Sequence, residues 1–198
     1  MEDTSRQRSP KPNLVFVTSN REKVREAKMI LESYGVSFKH LSLRYPEIQD
    51  SSLRKIALTS AITVHRRLRQ PLFVEDSGLF IEALGGFPGP YSSYVQETIG
   101  NLGILRLMEG VRNRSSRFES VVAYVESPRN RHVFAGSVEG RISIEERGER
   151  WGFDPIFIPS GTNLTYAEMG VEVKQRFSHR SIALAKFAFW LTEQKRRR

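Results

Sequence analysis

Cysteine is absent from this chain of 198 residues. Its absence excludes disulfide bonds, cysteine nucleophiles and thiolate-bound metal ions. The four histidines show no metal-ligand spacing, which argues against a histidine-based zinc site. No apolar run approaches the ~18 residues needed to cross a bilayer. The charged, proline-containing N-terminus also lacks the apolar core of a secretory signal. We therefore expect an intracellular, cytoplasmic protein with no membrane partner.

Three widespread catalytic signatures are missing as well. The sequence has no glycine-rich Walker loop, no dinucleotide-binding glycine fingerprint and no serine in a nucleophile elbow. Phosphate binding of the Walker type, dinucleotide binding of the Rossmann type and serine hydrolysis of the α/β-hydrolase type are thereby excluded.

Positive charge is in excess, because 31 basic residues outnumber 22 acidic ones and leave a net charge of +9. An apolar fraction of 39% and a charged fraction of 27% are typical of a globular chain. We expect a flexible tail at 1–12, one domain at 13–192 and a solvated basic tail at 193–198. The charge that remains on the domain suits an anionic substrate, and it suits a nucleic-acid surface equally well.

The first part of the chain alternates short apolar runs with amphipathic segments. The runs predict strands at 13–18, 36–43 and 72–75, and the 3.6-residue periodicity predicts helices at 20–34 and 52–69. We expect Asp76-Ser77-Gly78 to end the third strand as a turn. This alternation indicates an α/β fold with helices covering a sheet.

The second part of the chain is rich in β-forming residues. Segments 117–126 and 132–144, joined by Ser-Pro-Arg-Asn, predict a long antiparallel hairpin. The last helix, from Ser178 to about Leu191, is apolar nearly all round. Such a helix is buried or lies at an interface, and we expect it in the core.

Two segments contain groups suited to phosphate and metal binding. Residues 18–23 (TSNREK) lie where a strand meets a helix, and a helix N-terminus with a lysine one turn inside attracts anions. A plain helix cap is the alternative interpretation. Glu75 and Asp76 follow a strand, where open α/β sheets bind ligands, and paired carboxylates there suit Mg²⁺ beside a phosphate. Glu47 would add a ligand; a turn without function is the alternative.

Two further segments contain groups suited to binding a base. Residues 151–155 (WGFDP) combine aromatic rings with glycine in a loop, which favours stacking on a base or anchoring of the loop. Residues 178–180 (SHR) begin the last helix, with Ser178 as a good cap. Arg180 in the first turn opposes the helix dipole, which hints at an anionic or carbonyl partner.

In this order, the segments resemble the inosine triphosphate pyrophosphatase family of non-standard purine triphosphate pyrophosphatases, and archaeal members most closely. The resemblance covers the chain from residue 13 to about residue 191. The matching pieces are TSNREK (18–23), EIQ (47–49), EDSGL (75–79), GGFPGPYSSYV (85–95), WGFDPIFIP (151–159), AEM (167–169), Lys174 and SHRSIAL (178–184).

The resemblance implies an α/β fold with a long mixed β-sheet flanked by helices, and two lobes with a central nucleotide-binding cleft. It implies a homodimer, a purine nucleoside triphosphate as substrate and Mg²⁺ as cofactor; we expect no nucleic-acid partner. Asp76 would be the general base, and Glu47 with Asp76 would bind the metal. The residues it assigns to substrate binding are Thr18, Ser19, Asn20, Lys23, Ser77, Phe153, Asp154, Lys174, His179 and Arg180.

Two positions depart from the family pattern. Many bacterial members have a second aspartate where this chain has Glu75, so the role of Glu75 is open. Many members also have a lysine in the second helix, where this chain has Ser60, and Lys55 lies more than a turn away. The expected contact between that lysine and a phosphate is therefore missing.

The family reaction converts a nucleoside triphosphate and water to the monophosphate and pyrophosphate. Lys23 and Lys174 would offset charge on the polyphosphate, and Asp76 would accept the proton of the attacking water. Donors near His179 and an acceptor at Asp154 would match the 6-oxo and N1–H groups of hypoxanthine or xanthine. Two alternatives are a pyrophosphatase for other modified nucleotides and, from another class, a basic nucleic-acid-binding module.

Overall fold

A computed structural model describes residues 14–196, so the predicted tail at 1–12 lies outside the described residues. The alternating first part is confirmed. Its elements are β1 (Val15–Val17), α1 (Arg21–Ser33), β2 (Lys39–Leu41), α2 (Leu53–Leu68) and β3 (Leu72–Ile81). Local signals set the helix ends: Ser52 caps α2 through its hydroxyl, and Gly35 with φ +67° follows α1.

The prediction that Asp76-Ser77-Gly78 ends the third strand is wrong. β3 continues through these residues to Ile81 because it pairs along its whole length with a later antiparallel strand. Its parallel neighbour β1 is only three residues long, and its register with β3 covers Leu72 and Phe73. Asp76 therefore lies inside a strand but past the end of the parallel pairing.

The remaining elements complete the sheet and cover it. They are β4 (Pro88–Gly89), α3 (Ser92–Thr98), α4 (Gly100–Leu107), β5 (Ser115–Ser127), β6 (Asn130–Ile142), β7 (Phe157–Pro159), α5 (Gly170–Phe177) and α6 (His179–Arg196). Short 3₁₀ turns span Glu82–Leu84 and Asp154–Ile156. The long hairpin is confirmed as β5 and β6, and the predicted order of elements holds.

The sheet is mixed, as predicted, with strand order β2-β1-β3-β5-β6-β7 and β4 paired to the outer half of β3. β1, β2 and β3 run parallel, whereas β3, β5, β6 and β7 are successively antiparallel. The predicted division into two lobes stays a prediction.

Three apolar clusters pack around this sheet. One face of the inner strands packs on α1 and α6, and the opposite face packs on α2. The third cluster lies around the outer halves of β3 and β5, with α4 and the 153–157 segment. Because strand side chains alternate between faces, Phe73 and Glu75 share the α6 side while Val74 and Asp76 share the α2 side.

The last helix belongs to the core, as predicted, and is longer than expected. Leu184, Phe187 and Leu191 pack against the inner strands, whereas Phe189 is exposed. The helix continues to Arg196, so residues 193–196 of the predicted tail are helical. No helix within residues 14–196 combines the length and apolar content needed to cross a bilayer.

Candidate active site

A cavity of about 590 Å³ opens beside the middle of β3. This volume lies in the range of small-molecule and cofactor sites. All twelve residues predicted for the site line it: Thr18, Ser19, Asn20, Lys23, Glu47, Asp76, Ser77, Phe153, Asp154, Lys174, His179 and Arg180. Residues from distant parts of the chain therefore meet at the place that the sequence predicts.

The N-terminus of α1 forms one wall of the cavity. The Asn20 side-chain oxygen accepts the backbone N–H groups of Glu22 (2.9 Å) and Lys23 (3.1 Å), so the interpretation of this segment as a helix cap is correct. Thr18 is buried and its hydroxyl accepts the N–H of Asn20 at 3.2 Å. Capping occupies the Asn20 amide oxygen, and the amide nitrogen and the Ser19 hydroxyl remain suitable donors for an anion.

Glu75 lies under the cavity floor as a structural carboxylate. Its oxygens lie 3.0 Å from Lys23 Nζ and 3.1 Å from Arg180 Nε, and the Ser120 hydroxyl donates to it at 2.6 Å. Burial by itself raises the pKa of Glu75, but Arg180, Lys23 and Ser120 outweigh burial and hold it at about 2. The open question of Glu75 therefore has an answer: this carboxylate positions two cations.

Asp76 lies on the opposite face of β3 and has a different environment. Burial raises its pKa from an ordinary 3.8 to about 6; Lys23 opposes this, while Glu75 and Glu47 add to it. The pKa of Tyr45 is raised by burial first and then by Glu47 and Asp76, so these three groups lie close together. Two neighbouring carboxylates that repel one another form a site that favours a divalent cation.

A buried network of charges holds the far end of the cavity. Lys174 Nζ donates to Asp154 Oδ2 at 2.6 Å and to Glu26 Oε1 at 3.2 Å. Arg180 pairs with the other oxygen of Glu26, and its Nη2 donates to the Ser77 hydroxyl at 3.0 Å. The pKa of Glu26 falls to about 2, because Arg180 and Lys174 outweigh the effect of its burial.

The network corrects one sequence-based expectation. Lys174 is buried and its charge is balanced by Asp154 and Glu26, so it is not free to offset charge on a polyphosphate. It also lies 5.7 Å from the Trp151 ring centroid, beside the aromatic loop rather than beside α1. Arg180 has the anionic partners that its place in a helix first turn suggested, and they are carboxylates of the protein itself.

His179 begins α6 as a neutral, buried imidazole. Its ring stacks on Phe118 with centroids 4.5 Å apart and an interplanar angle of 8°. Burial, then Arg180 and Lys174, lower the pKa of His179 well below its ordinary value, so the ring is uncharged at pH 7. Ser178 caps the helix by accepting the Ser181 N–H at 3.1 Å. The first N–H groups of α6 have no acceptor within the helix and can donate to a carbonyl oxygen.

The charges that line the cavity nearly cancel. Five carboxylates outnumber four cations: Glu47, Glu75, Asp76, Glu97 and Asp154 against Lys23, Arg44, Lys174 and Arg180. The cavity alone is therefore a poor receptor for a triphosphate. A divalent cation at Glu47 and Asp76 would reverse the sign of the balance and add an attractive charge for phosphate.

Ser60 holds the place of the missing second-helix lysine. It lines the cavity and is buried, and its hydroxyl has no hydrogen-bond partner among the described residues. Lys55 instead pairs with Asp50 at 3.3 Å on the exposed surface. Lys55 is thereby excluded as a substitute.

Two residues of the charge network were missed by the sequence analysis. Glu26 and Ser120 stood out in no motif, although Glu26 lies three residues after Lys23 and therefore on the same helix face. That spacing is the signal that would have identified Glu26. Ser120 had none, because only the pairing of β5 with β3 brings it to Glu75.

Comparison with known proteins agrees with this geometry. The family model described as the Ham1 family matches residues 14–190. This chain belongs to the Ham1 family. Two archaeal relatives are named dITP/XTP pyrophosphatase. The protein of Methanopyrus kandleri is 53% identical over 89% of this chain and 95% of its own length. That of Thermococcus kodakarensis is 50% identical over 91% of this chain and 97% of its own length.

A solved structure supports the fold of this Ham1-family chain. The HAM1 protein from Coxiella burnetii superposes with a TM-score of 0.82 at 28% identity. The match covers 92% of this chain and 99% of the other. The mixed sheet and its helices are therefore those of the family.

Proposed function

We propose that this Ham1-family chain hydrolyses ITP, dITP and XTP to the monophosphate and pyrophosphate, and that it requires Mg²⁺. The observation on which this rests most is the meeting of all twelve predicted residues in one cavity. The relatives named dITP/XTP pyrophosphatase support the choice of substrates. The enzyme would act in the cytoplasm, where deaminated purine nucleotides compete with normal ones, and the family resemblance favours a homodimer.

The two ends of the cavity have different tasks. At one end, α1 and Lys23 would hold the polyphosphate, with Glu47 and Asp76 as ligands of Mg²⁺. When bound, the ion would neutralise phosphate charge and acidify water. Asp76, with a pKa of about 6, would accept the proton of the water that attacks the α-phosphorus.

At the other end, the protein would recognise the base. An N–H group at the start of α6 would donate to the 6-oxo group, and Asp154 would accept the N1–H. Lys174 occupies Oδ2 of Asp154, so Oδ1 is the oxygen that we assign to this bond. Adenine has a donor and an acceptor in the reversed places. Such a mismatch of buried groups can discriminate by ~10⁴.

A substrate panel tests the proposal directly. Pyrophosphate release would be measured from ITP, XTP, dITP, GTP and ATP, with Mg²⁺ and with a chelator. We expect release from the first three substrates at least ~10³-fold more efficient than from ATP, and none with the chelator. Equal turnover of ATP and ITP, or preference for a modified pyrimidine nucleotide, would refute it. A mass measurement in solution tests the dimer.

A further inference from the structure

A second charged surface lies at the end of the sheet away from the cavity. One row of paired residues crosses five strands there: Lys39, Val15, Leu72, Val125 and Arg131. Four inter-strand spacings separate its outer members, about 19 Å. Asp76 lies four residues further along β3, about 13 Å from this row. This end of the sheet is therefore separate from the active site.

Basic residues from three parts of the chain meet at this end. The last turn of α2 contributes Arg66 and Arg67, and Arg69 is its C-cap. His65 of that turn bonds to the Glu126 carbonyl at 3.1 Å, which fixes the end of α2 beside the end of the hairpin. The turn between β5 and β6 contributes Arg129. We call Lys39, Arg66, Arg67, Arg69, Arg129 and Arg131 the basic edge.

The charges of the basic edge are available to a partner. All six side chains are exposed, and none of them forms an ion pair with a described residue. Arg69 donates to the Arg66 carbonyl at 2.9 Å, which leaves its charge unbalanced. The nearby carboxylate of Glu126 accepts from the Asn130 side chain. Positive charge is therefore concentrated at this edge, whereas the charges of the cavity nearly cancel.

We propose that the basic edge binds the phosphate backbone of nucleic acid, without sequence preference. Five of its six cations are arginines, whose planar guanidinium groups bind phosphate oxygens through paired N–H donors. The row is wide enough to contact several successive phosphates, which lie about 3.4 Å apart along one strand of a duplex. The cavity stays accessible, so the enzyme can bind nucleic acid and a nucleotide together.

A helix dipole and an anionic membrane each account for less of the basic edge. Arg66 and Arg67 complement the C-terminal dipole of α2, but Lys39, Arg129 and Arg131 have no such role. A membrane is a less suitable partner, because stable interfacial binding uses exposed apolar anchors. None of the exposed large apolar residues lies at 49–86 or 108–143, the described segments that contain five of the six cations. The expectation of no nucleic-acid partner assigned the surplus charge to the substrate, and this placement revises it.

Fluorescence anisotropy with a labelled 20-base-pair DNA duplex tests the proposal on the full chain. We expect a Kd on the order of micromolar at 50 mM salt, weakened about 100-fold at 200 mM if four phosphates are contacted. The test variant replaces four arginines by glutamine: R66Q, R67Q, R129Q and R131Q. It should lose at least ~100-fold in affinity at 50 mM salt and most of the salt dependence.

A matched variant controls for net charge. It also replaces four exposed arginines, all outside the basic edge: R54Q, R106Q, R112Q and R176Q. We expect it to bind DNA within about threefold of the wild type, since long-range charge effects are screened at this salt. Thermal unfolding checks that both variants are folded. The residues outside 14–196 are identical in all three proteins, so they cannot account for a difference.

Three outcomes would overturn the proposal. The first is no binding of the wild type at 50 mM salt. The second is an equal loss of affinity in both variants, which would indicate a general charge effect. The third is tighter binding to vesicles of 30% phosphatidylglycerol than to DNA, which would indicate a membrane surface. None of these measurements depends on nucleotide hydrolysis, so failure here leaves the proposed function untouched.

Discussion

Replacing Asp76 by asparagine is expected to make the metal-free protein more stable while it abolishes activity. The pKa of Asp76 is raised from 3.8 to about 6, chiefly by burial. One pKa unit corresponds to about 1.4 kcal/mol, so the ionised carboxylate destabilises the fold by about 3 kcal/mol. Asparagine keeps the side-chain oxygen that accepts the Ser77 N–H at 2.9 Å, and it introduces no charge.

The sign of the effect sets its pH dependence. The folded protein binds a proton at Asp76 more tightly than the unfolded chain, so wild-type stability falls as pH rises from about 4 to about 6. D76N lacks this fall. At pH 7 we expect it to unfold about 6–12 °C higher, from about 3 kcal/mol in a chain of this size. At pH 4 its advantage should shrink below about 1 kcal/mol.

Calorimetry with a chelator at pH 4 and pH 7 measures the stability, and pyrophosphate release from ITP with Mg²⁺ measures the activity. We expect kcat of D76N to fall at least ~100-fold. Mg²⁺ should stabilise the wild type and leave D76N unchanged. D50N is the control: the N–H of Ser52 lowers the pKa of Asp50, so removing its charge should not stabilise. A D76N variant no more stable than wild type at pH 7, or equally stabilised at both pH values, would refute the reasoning.

Three further substitutions have expected outcomes. Glu75→Gln leaves two buried cations without a counter-charge, so urea denaturation should show a loss of about 3–5 kcal/mol; a loss under 1 kcal/mol would contradict the network. Gly136→Ala would place a Cβ 2.2 Å from the His179 carbonyl oxygen and push α6 away, raising KM for ITP more than it changes kcat; unchanged kinetics would argue against base recognition there. Lys55→Ala should leave kcat/KM for ITP unchanged, since this lysine pairs with Asp50 outside the cavity; a tenfold loss would restore it as a phosphate contact.

The elements of this fold were predictable where the sequence pattern is local. The apolar stripe of α1, its Asn20 cap and Gly35 beyond its end all act within a few residues of one another. The hairpin was predictable for the same reason. β3 was not, because Asp76-Ser77-Gly78 has the composition of a turn, and pairing with β5 keeps it extended.

The candidate site divides along the same line. The sequence by itself determined which side chains are present: phosphate-binding groups at a helix N-terminus, paired carboxylates and an aromatic loop, all in the order of one family. Only the tertiary structure decided what each charge does. The two neighbouring carboxylates lie on opposite faces of one strand, so Glu75 meets two cations while Asp76 faces the cavity. The pKa of a buried carboxylate depends on neighbours that the fold brings from distant parts of the chain, and local sequence does not specify them.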